Sequence, residues 1–333
     1  MTTRHAKSAC CGAFVQRFGK RRRRCSICQR TWRIRQKRRG RKRRRVNRTL
    51  ILDYLTRTVP SLRALAAQRG CGKDRMQITL SRSLDAFLAD QGSRWIHELP
   101  ESGSLIAVAD AIWYYVDGEK YSIYVILLRP VNATRAVICP PIVLPGHEHL
   151  AGWRAAVDRL PSVLQKRIIA LVCDGATSLV ALSRERHWIL QRCHFHLLAA
   201  VQNYLTTGPR STHQAYAKRV LGIVQTFVTT TNPRIRRAMR EKIFALRTRS
   251  SSRGLRRVLG GLLRDYRDYL TYRRYPQLDL PTTSNTAESW IQCIRDLMYR
   301  ARGFRSLRTL TKWLTALALV KRTIVCNGKH QPN

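Results

Sequence analysis

The sequence predicts a mixed α/β fold: a sheet of antiparallel and then parallel strands with helices on it. A small cysteine-bearing module and a helical segment precede the sheet. Three observations carry this. Short, β-branched apolar runs begin at residue 104; helix-period apolar seams occupy residues 48 to 92; and four cysteines crowd into the first 28 residues of a strongly cationic stretch. The 333 residues hold 63 Lys+Arg against 19 Asp+Glu, a formal net charge of +44. Such a field attracts a polyanion, because each cation set on a phosphate releases condensed counterion. It argues against an enzyme for small neutral metabolites. No segment approaches the ~18 apolar residues of a transmembrane helix, and no apolar stretch follows the basic N-terminus as in a secretory signal. Ten cysteines in so basic a chain read as reduced thiols, some of them for metal, in a reducing compartment.

Residues 1–34 predict a zinc-ribbon-like module. Cys25-Ser-Ile-Cys28 is a tight Cys-x-x-Cys turn able to set two thiolates on one tetrahedral zinc, and the chain should continue from Cys28 to Trp32 as a strand. The partner knuckle is irregular. Ser8 stands where a first cysteine would precede Cys11-Gly12, so Cys10 or His5 would complete a set with Cys11, Cys25 and Cys28; free thiols in a basic arm are the alternative. Residues 35–47 form a basic linker containing the run Arg41, Lys42, Arg43, Arg44 and Arg45. Its cations suit phosphates, although a solvated tail also has this composition.

Residues 48–92 predict three helices. Thr49 to Leu55 is short and apolar. Ser61 is a good N-cap for a helix with Leu62, Leu65 and Ala66 on one face, ending at Gly70. Met76, Leu80, Leu84, Phe87 and Leu88 then form a helical seam. The pattern is that of a helix-turn-helix, whose second helix enters the DNA major groove. Lys73, Arg75, Gln77 and Arg82 should face outward as groove- and phosphate-reading side chains, an ordinary helical hairpin being the other possibility.

Residues 100–326 carry the sheet. SLIAVAD (104–110), YSIYVILL (121–128) and ATRAVICPPIVL (133–144) read as strands, the first two joined by the hairpin turn Asp117-Gly118. His149 to Leu160 reads as a helix, then RIIALVCD (167–174) and WILQRC (188–193) as further strands. Asp110 and Asp174 each close a strongly apolar strand in an acid-poor chain. Functional groups gather just beyond strand ends, and two carboxylates held together call for a raised pKa or a divalent cation. Either acid alone would also serve as a turn-former. Glu288 sits in the first turn of a long helix that runs to Arg302-Gly303, a place the helix dipole alone would explain.

The ordered set Asp110, Asp174 and Glu288, spaced by 64 and 114 residues, resembles the Asp-Asp-Glu transposases with a ribonuclease-H-like core. Cys193 and His196, within Gln191-Arg-Cys-His-Phe-His-Leu197, resemble the Cys-x-x-His signature of Mutator-like and related bacterial insertion-sequence transposases. Asn285-x-x-Glu288 and Arg302-Gly-Phe-Arg305 resemble their last catalytic helix and its exit. The loop 144–150 has no match in that pattern. The resemblance implies a ribonuclease-H-like mixed sheet with an all-helical insertion at about 198–282. It implies a prokaryotic, nucleoid-associated cytoplasmic protein that binds the terminal inverted repeats of an insertion sequence. Its activity would be metal-dependent DNA cleavage and strand transfer. Asp110, Asp174 and Glu288 would hold two Mg²⁺ (or Mn²⁺), water would cut first, and the freed 3′-hydroxyl would then attack target DNA. Cys193 and His196 would orient the site rather than ligate metal. The basic stretches Arg234–Lys242 and Arg253–Arg267 would hold flanking or target duplex. Holding two ends together implies a homodimer or larger. A non-catalytic, domesticated DNA-binding protein and a ribonuclease-H-like nuclease are the alternatives.

Overall fold

The structure, a computed structural model, describes residue 10 and residues 15–18, 22–33, 48–56, 61–205 and 210–326, in two units, 1–46 and 47–333. In the first unit, β1 (Val15–Arg17), β2 (Arg22–Cys25) and β3 (Thr31–Arg33) form an antiparallel sheet in that order. Between β2 and β3 the chain folds back tightly. The Cys25 N–H donates to Arg30 O (2.9 Å), the Gln29 N–H donates to Cys25 O (3.1 Å), and Gln29 takes the left-handed conformation at φ 60. Cys11, His5 and the basic linker 35–47, including Arg41 to Arg45, lie outside the described residues.

The second unit opens with three helices, α1 (Arg48–Leu55), α2 (Leu62–Gln68) and α3 (Lys73–Gln91). Ser61 Oγ accepts from the Ala64 N–H at 3.1 Å, the expected cap, and Gly70 supplies the left-handed turn at φ 61. Met76, Leu80, Leu84 and Phe87 are buried, while Lys73, Arg75, Gln77 and Arg82 are exposed. These helices share one hydrophobic core with the sheet, so residue 92 is not a boundary in packing.

The main sheet comprises β4 (Leu105–Val116), β5 (Glu119–Pro130), β6 (Arg135–Ile138), β7 (Ile142–Pro145), β8 (Ile168–Cys173), β9 (Ile189–Arg192) and β10 (Thr323–Val325). Its order is β10-β6-β5-β4-β8-β9, with β7 on the part of β5 nearest the hairpin turn. Strand β5 runs antiparallel to both its neighbours β4 and β6, whereas β8 runs parallel to β4 and β9 parallel to β8. Asp117 (φ 52) and Gly118 (φ 83) make the two-residue turn that matches strand twist.

Two sequence expectations need correction. The run 133–144 is two strands, because Cys139-Pro140-Pro141 intervenes and proline has no N–H for a ladder. Asp110 does not close its strand: β4 continues to Val116 along β5, and only the parallel pairing with β8 stops, at Val108. Asp110 therefore lies just past the point where β4 loses one neighbour.

Helices α4 (Leu150–Asp158), α5 (Ser162–Arg167) and α6 (Thr177–Glu185) come next, with Trp153 of α4 edge-on to buried Tyr124 of β5 at 4.9 Å. The chain continues through α7 (His194–Asn203), α8 (Arg210–Thr229), α9 (Pro233–Arg249), α10 (Arg253–Tyr269), α11 (Thr271–Arg274), α12 (Asn285–Ala301) and α13 (Leu307–Lys321). Helices α7 to α10 hold a core of their own, centred on Val201, Val224, Phe227, Ile243 and Leu259. Among the described residues of 198–280 no strand occurs. Helix α12 buries Ala287, Trp290, Ile291, Ile294 and Leu297, a helical stripe laid against β4 and β5. Helix α13 meets α1 and α3, where Tyr54 and Trp313 rings lie 5.0 Å apart and Lys312 pairs with Asp85. Among the described residues no helix is long and apolar enough to cross a membrane.

Candidate metal centre and flanking cleft

Three segments distant in sequence converge beside the open edge of β4. One ligand atom each of Asp110, His196 and Glu288 lies within 4.8 Å of the others. Asp110 comes from mid-β4, His196 from the first turn of α7, and Glu288 from the first turn of α12. Asp174, just past β8, is outside this closest set; its Oδ1 accepts from the Ala176 N–H (2.8 Å) in a turn. It still acts on the set electrostatically. Burial, then the Asp174 charge, push the Asp110 carboxyl up to about 7, against opposing contributions from His196 and the Ala111 N–H.

His196 holds a closer position than the sequence implies. A hydrogen bond with Cys193 lifts its imidazole to about 9, against the effect of burial. Burial alone would raise the Cys193 thiol, but hydrogen bonds from His196 and Ser284 outweigh it and hold the thiol below its ordinary value. The Ser284 N–H donates to Cys193 Sγ at 3.2 Å, and Ser284 Oγ lies 3.3 Å from His196 Nδ1. Ser284 thus makes no side-chain cap for α12, although it is the N-cap residue. It ties the start of that helix to the Cys-x-x-His segment. His194 adds a second tie, its N–H donating to Thr282 O at 2.9 Å.

Without a cation the cluster is balanced by protons: a charged imidazole beside a carboxyl that is half-neutral near pH 7. The donor set fits a hard divalent ion, since carboxylate oxygens are the ligands such ions prefer and these lie close enough to share one. Glu288 also accepts from Arg295 Nη1 (2.9 Å), a surface pair that offers the carboxylate a counter-charge.

A cleft of about 200 Å³ leads from Asp174 and His196 to Arg257 and Arg264 of α10. Arg192 forms its wall, bonding Asp265 (3.1 Å) and lying over the Tyr269 ring at 4.9 Å. Gly175 makes room for it: φ is +91, and a β-carbon there would stand 2.1 Å from Arg192 Nε. Gly175→Ala is therefore expected to cost about 1–3 kcal/mol through the left-handed backbone and the clash. Melting curves of Gly175→Ala, Arg192→Ala and the double variant check this. The double variant should recover the clash portion, and strictly additive losses would contradict it. Arg192, Ser284, Arg257 and Arg264 were not singled out from sequence for these places. Only Arg192, inside the Gln-Arg-Cys-His string, had a local signal.

In the first unit, Cys10, Cys25 and Cys28 bring their sulfurs within 4.8 Å of one another, with Cys10 and Cys28 at 3.4 Å. Sulfurs on one tetrahedral zinc stand about 3.8 Å apart given Zn–S of ~2.3 Å, so three of the expected ligands fit one ion. No protein-family model matches the chain, and no curated protein matches it.

Proposed function

We propose that the chain is a DNA transposase of the Asp-Asp-Glu type on a ribonuclease-H-like core, cleaving insertion-sequence ends and joining them to target DNA. The observation that carries this reading is the meeting of Asp110, Glu288 and His196, with Asp174 alongside, at the mouth of an arginine-walled cleft in a protein of net charge +44. Strands on one side of Asp110 are antiparallel and on the other parallel, which supports the core assignment. Asp110, Asp174 and Glu288 would hold two Mg²⁺ or Mn²⁺. When bound, these supply the positive charge that activates an attacking oxygen and stabilises a leaving one. With a cation held there, His196 would favour its neutral imidazole, the proton passing to solvent, and Ser284 with Cys193 would keep the ring in place. Arg257 and Arg264 neutralise backbone phosphates in the cleft. The exposed Lys73, Arg75, Gln77 and Arg82 suit a recognition helix for the terminal repeats, and Cys10, Cys25 and Cys28 suit one structural Zn²⁺. At least two copies would be needed to hold two ends.

The test uses full-length protein, Mg²⁺ or Mn²⁺, and duplexes carrying the inverted repeats that flank the gene. Joined products bearing the element's 3′ ends are expected. Asp174→Asn and Glu288→Gln should each lower joining on the order of 10²–10³-fold, as loss of one transition-state charge stabiliser does. Cleavage without joining would instead indicate a nuclease. Metal-independent binding without cleavage would indicate a non-catalytic DNA-binding protein.

A further inference from the structure

Helices α9 and α10 enclose a second groove, of about 540 Å³, on the insertion and separate from the acidic cluster. Arg237, Arg240, Phe244 and Arg247 of α9 face Gly260 and Arg264 of α10 across it. Its volume lies within the ~300–1,000 Å³ of sites that enclose a small organic ligand. The groove has an unusual chemistry. Phe244 is 59 % exposed, where burial is the ordinary fate of such a ring. Around it, Arg237, Arg240 and Arg247 have no carboxylate within 4 Å among the described residues, and the groove's single acid is Glu241. Arg240 lies over the Tyr266 ring at 5.1 Å, a cation–π contact that positions its guanidinium. Gly260 gives Arg247 its place, since a β-carbon there would stand 3.2 Å from Arg247 Nε. Arg264 lines both this groove and the cleft beside Asp174, so the two adjoin.

An exposed aromatic ring among unpaired guanidinium groups matches a chain that offers a flat apolar face and a phosphate in alternation. Duplex DNA keeps its base faces inside the stack, so it offers the Phe244 ring nothing to stack on. We infer that this groove binds single-stranded DNA, with an unstacked base on Phe244 and the flanking phosphates on Arg237, Arg240 and Arg247. The inference rests on the proposed reading of the chain as a DNA-acting protein. It deepens that reading by assigning to the insertion a strand left single where duplex is cut. The occupant follows from the two chemistries together, base stacking and phosphate neutralisation, in a protein whose overall charge already selects polyanions.

The experiment measures full-length protein in buffer without added Mg²⁺ or Mn²⁺ and without chelator, so that no cleavage occurs and any thiolate-held Zn²⁺ stays in place, binding fluorescein-labelled dT15 and, separately, a 15-base-pair duplex of mixed sequence. Phe244→Ala should weaken dT15 binding roughly 5- to 100-fold, the effect of losing one stacked base, and leave duplex binding within about twofold. Phe244→Trp should keep dT15 affinity, which separates stacking from misfolding. Arg247→Ala should lower the slope of log K against log[salt] for dT15 by about 0.7, one single-strand phosphate contact. Affinity for dT15 unchanged in Phe244→Ala, or lost equally for dT15 and duplex, would overturn the inference while leaving the transposase reading standing. Displacement of dT15 by poly-glutamate as readily as by unlabelled dT15 would also overturn it, in favour of a general anion surface. If the wild-type protein bound neither DNA, both readings would fall.

Discussion

Replacing Asp110 by Asn is expected to raise the melting temperature of the metal-free protein at pH 8 and to abolish its thermal response to Mg²⁺ or Mn²⁺. The sign follows from linkage. The carboxyl is buried, 8 % exposed, and titrates at about 7 when folded against an ordinary value of 3.8. The folded state therefore holds its proton more tightly than the unfolded state. Stability from this group is fully present below pH 3.8 and is lost as pH rises through 7. The resulting penalty is about 4 kcal/mol by pH 8 and about half that at pH 5.5, from ~1.4 kcal/mol per pKa unit. An Asn at 110 keeps an oxygen for the Ala111 N–H, which Asp110 accepts at 2.8 Å, and carries no charge.

The expected gain is thus about 8–16 °C at pH 8, taking ~2–4 °C per kcal/mol for a domain of this size, and about half that at pH 5.5. His196, titrating at about 9 against 6.5, adds a slope of the same sign at higher pH. Glu185, held below its ordinary range by hydrogen bonds from Arg154, acts in the opposite sense only at lower pH; His196 overlaps the window above 6.5, so it is the difference between Asp110→Asn and wild type at each pH that isolates Asp110. In the wild type, divalent cation at 100 times its Kd should add ~2.7 kcal/mol, with proton release, and Asp110→Asn should lose this addition. Differential scanning calorimetry across pH, with and without Mn²⁺, reads both effects. A variant less stable than wild type at pH 8, or one that still responds to Mn²⁺, would remove Asp110 from the centre of the site.

What the sequence made legible was what depends on local pattern. The hairpin at Asp117-Gly118 and the seam from Met76 to Leu88 need only periodicity and turn chemistry, and both stand in the structure; the helical stretch beyond 198 rested on a family resemblance instead, and its described residues hold no strand. The three acids could be singled out because acids are scarce in this chain. Their relations could not, since these depend on pairing between distant segments. Asp110 reads as a strand end in sequence, yet its setting comes from where β8 stops rather than from where β4 does. His196 reads as a supporting residue, because nothing local reveals that α7 starts beside the start of α12. Ser284 stands at the start of α12, yet its side chain faces His196 and its N–H bonds Cys193 rather than capping the helix. The arginines of the cleft and groove were visible only as charge.

Arg129 was not visible at all, and its substitution carries the second large expectation. Arg129→Leu should cost about 2–4 kcal/mol, the sum expected when a buried guanidinium leaves several acceptors behind. Arg129 lies on β5, 4 % exposed, and its fork reaches the turn that returns the chain from the insertion to α12. Nη1 donates to Ala133 O (3.3 Å) and to Asp279 Oδ2 (3.4 Å). Nη2 donates to Leu278 O (3.4 Å) and to Asp279 O. Asp279 is left-handed at φ 46, a conformation these bonds hold in place. A leucine fills the volume but gives those carbonyls no donor. Lysine keeps the charge but not the fork, so Arg129→Lys should recover less than half of the loss. Native-state hydrogen exchange locates the effect. Amides from 278 to 290 should exchange faster in Arg129→Leu, whereas those of Val224 and Leu259, inside the insertion's separate core, should keep wild-type protection. Uniform acceleration in both regions would mean that Arg129 merely supports global stability. Protection unchanged near 284 would mean that the turn holds itself, leaving Ser284 and the Cys193–His196 pair as the groups that place Glu288.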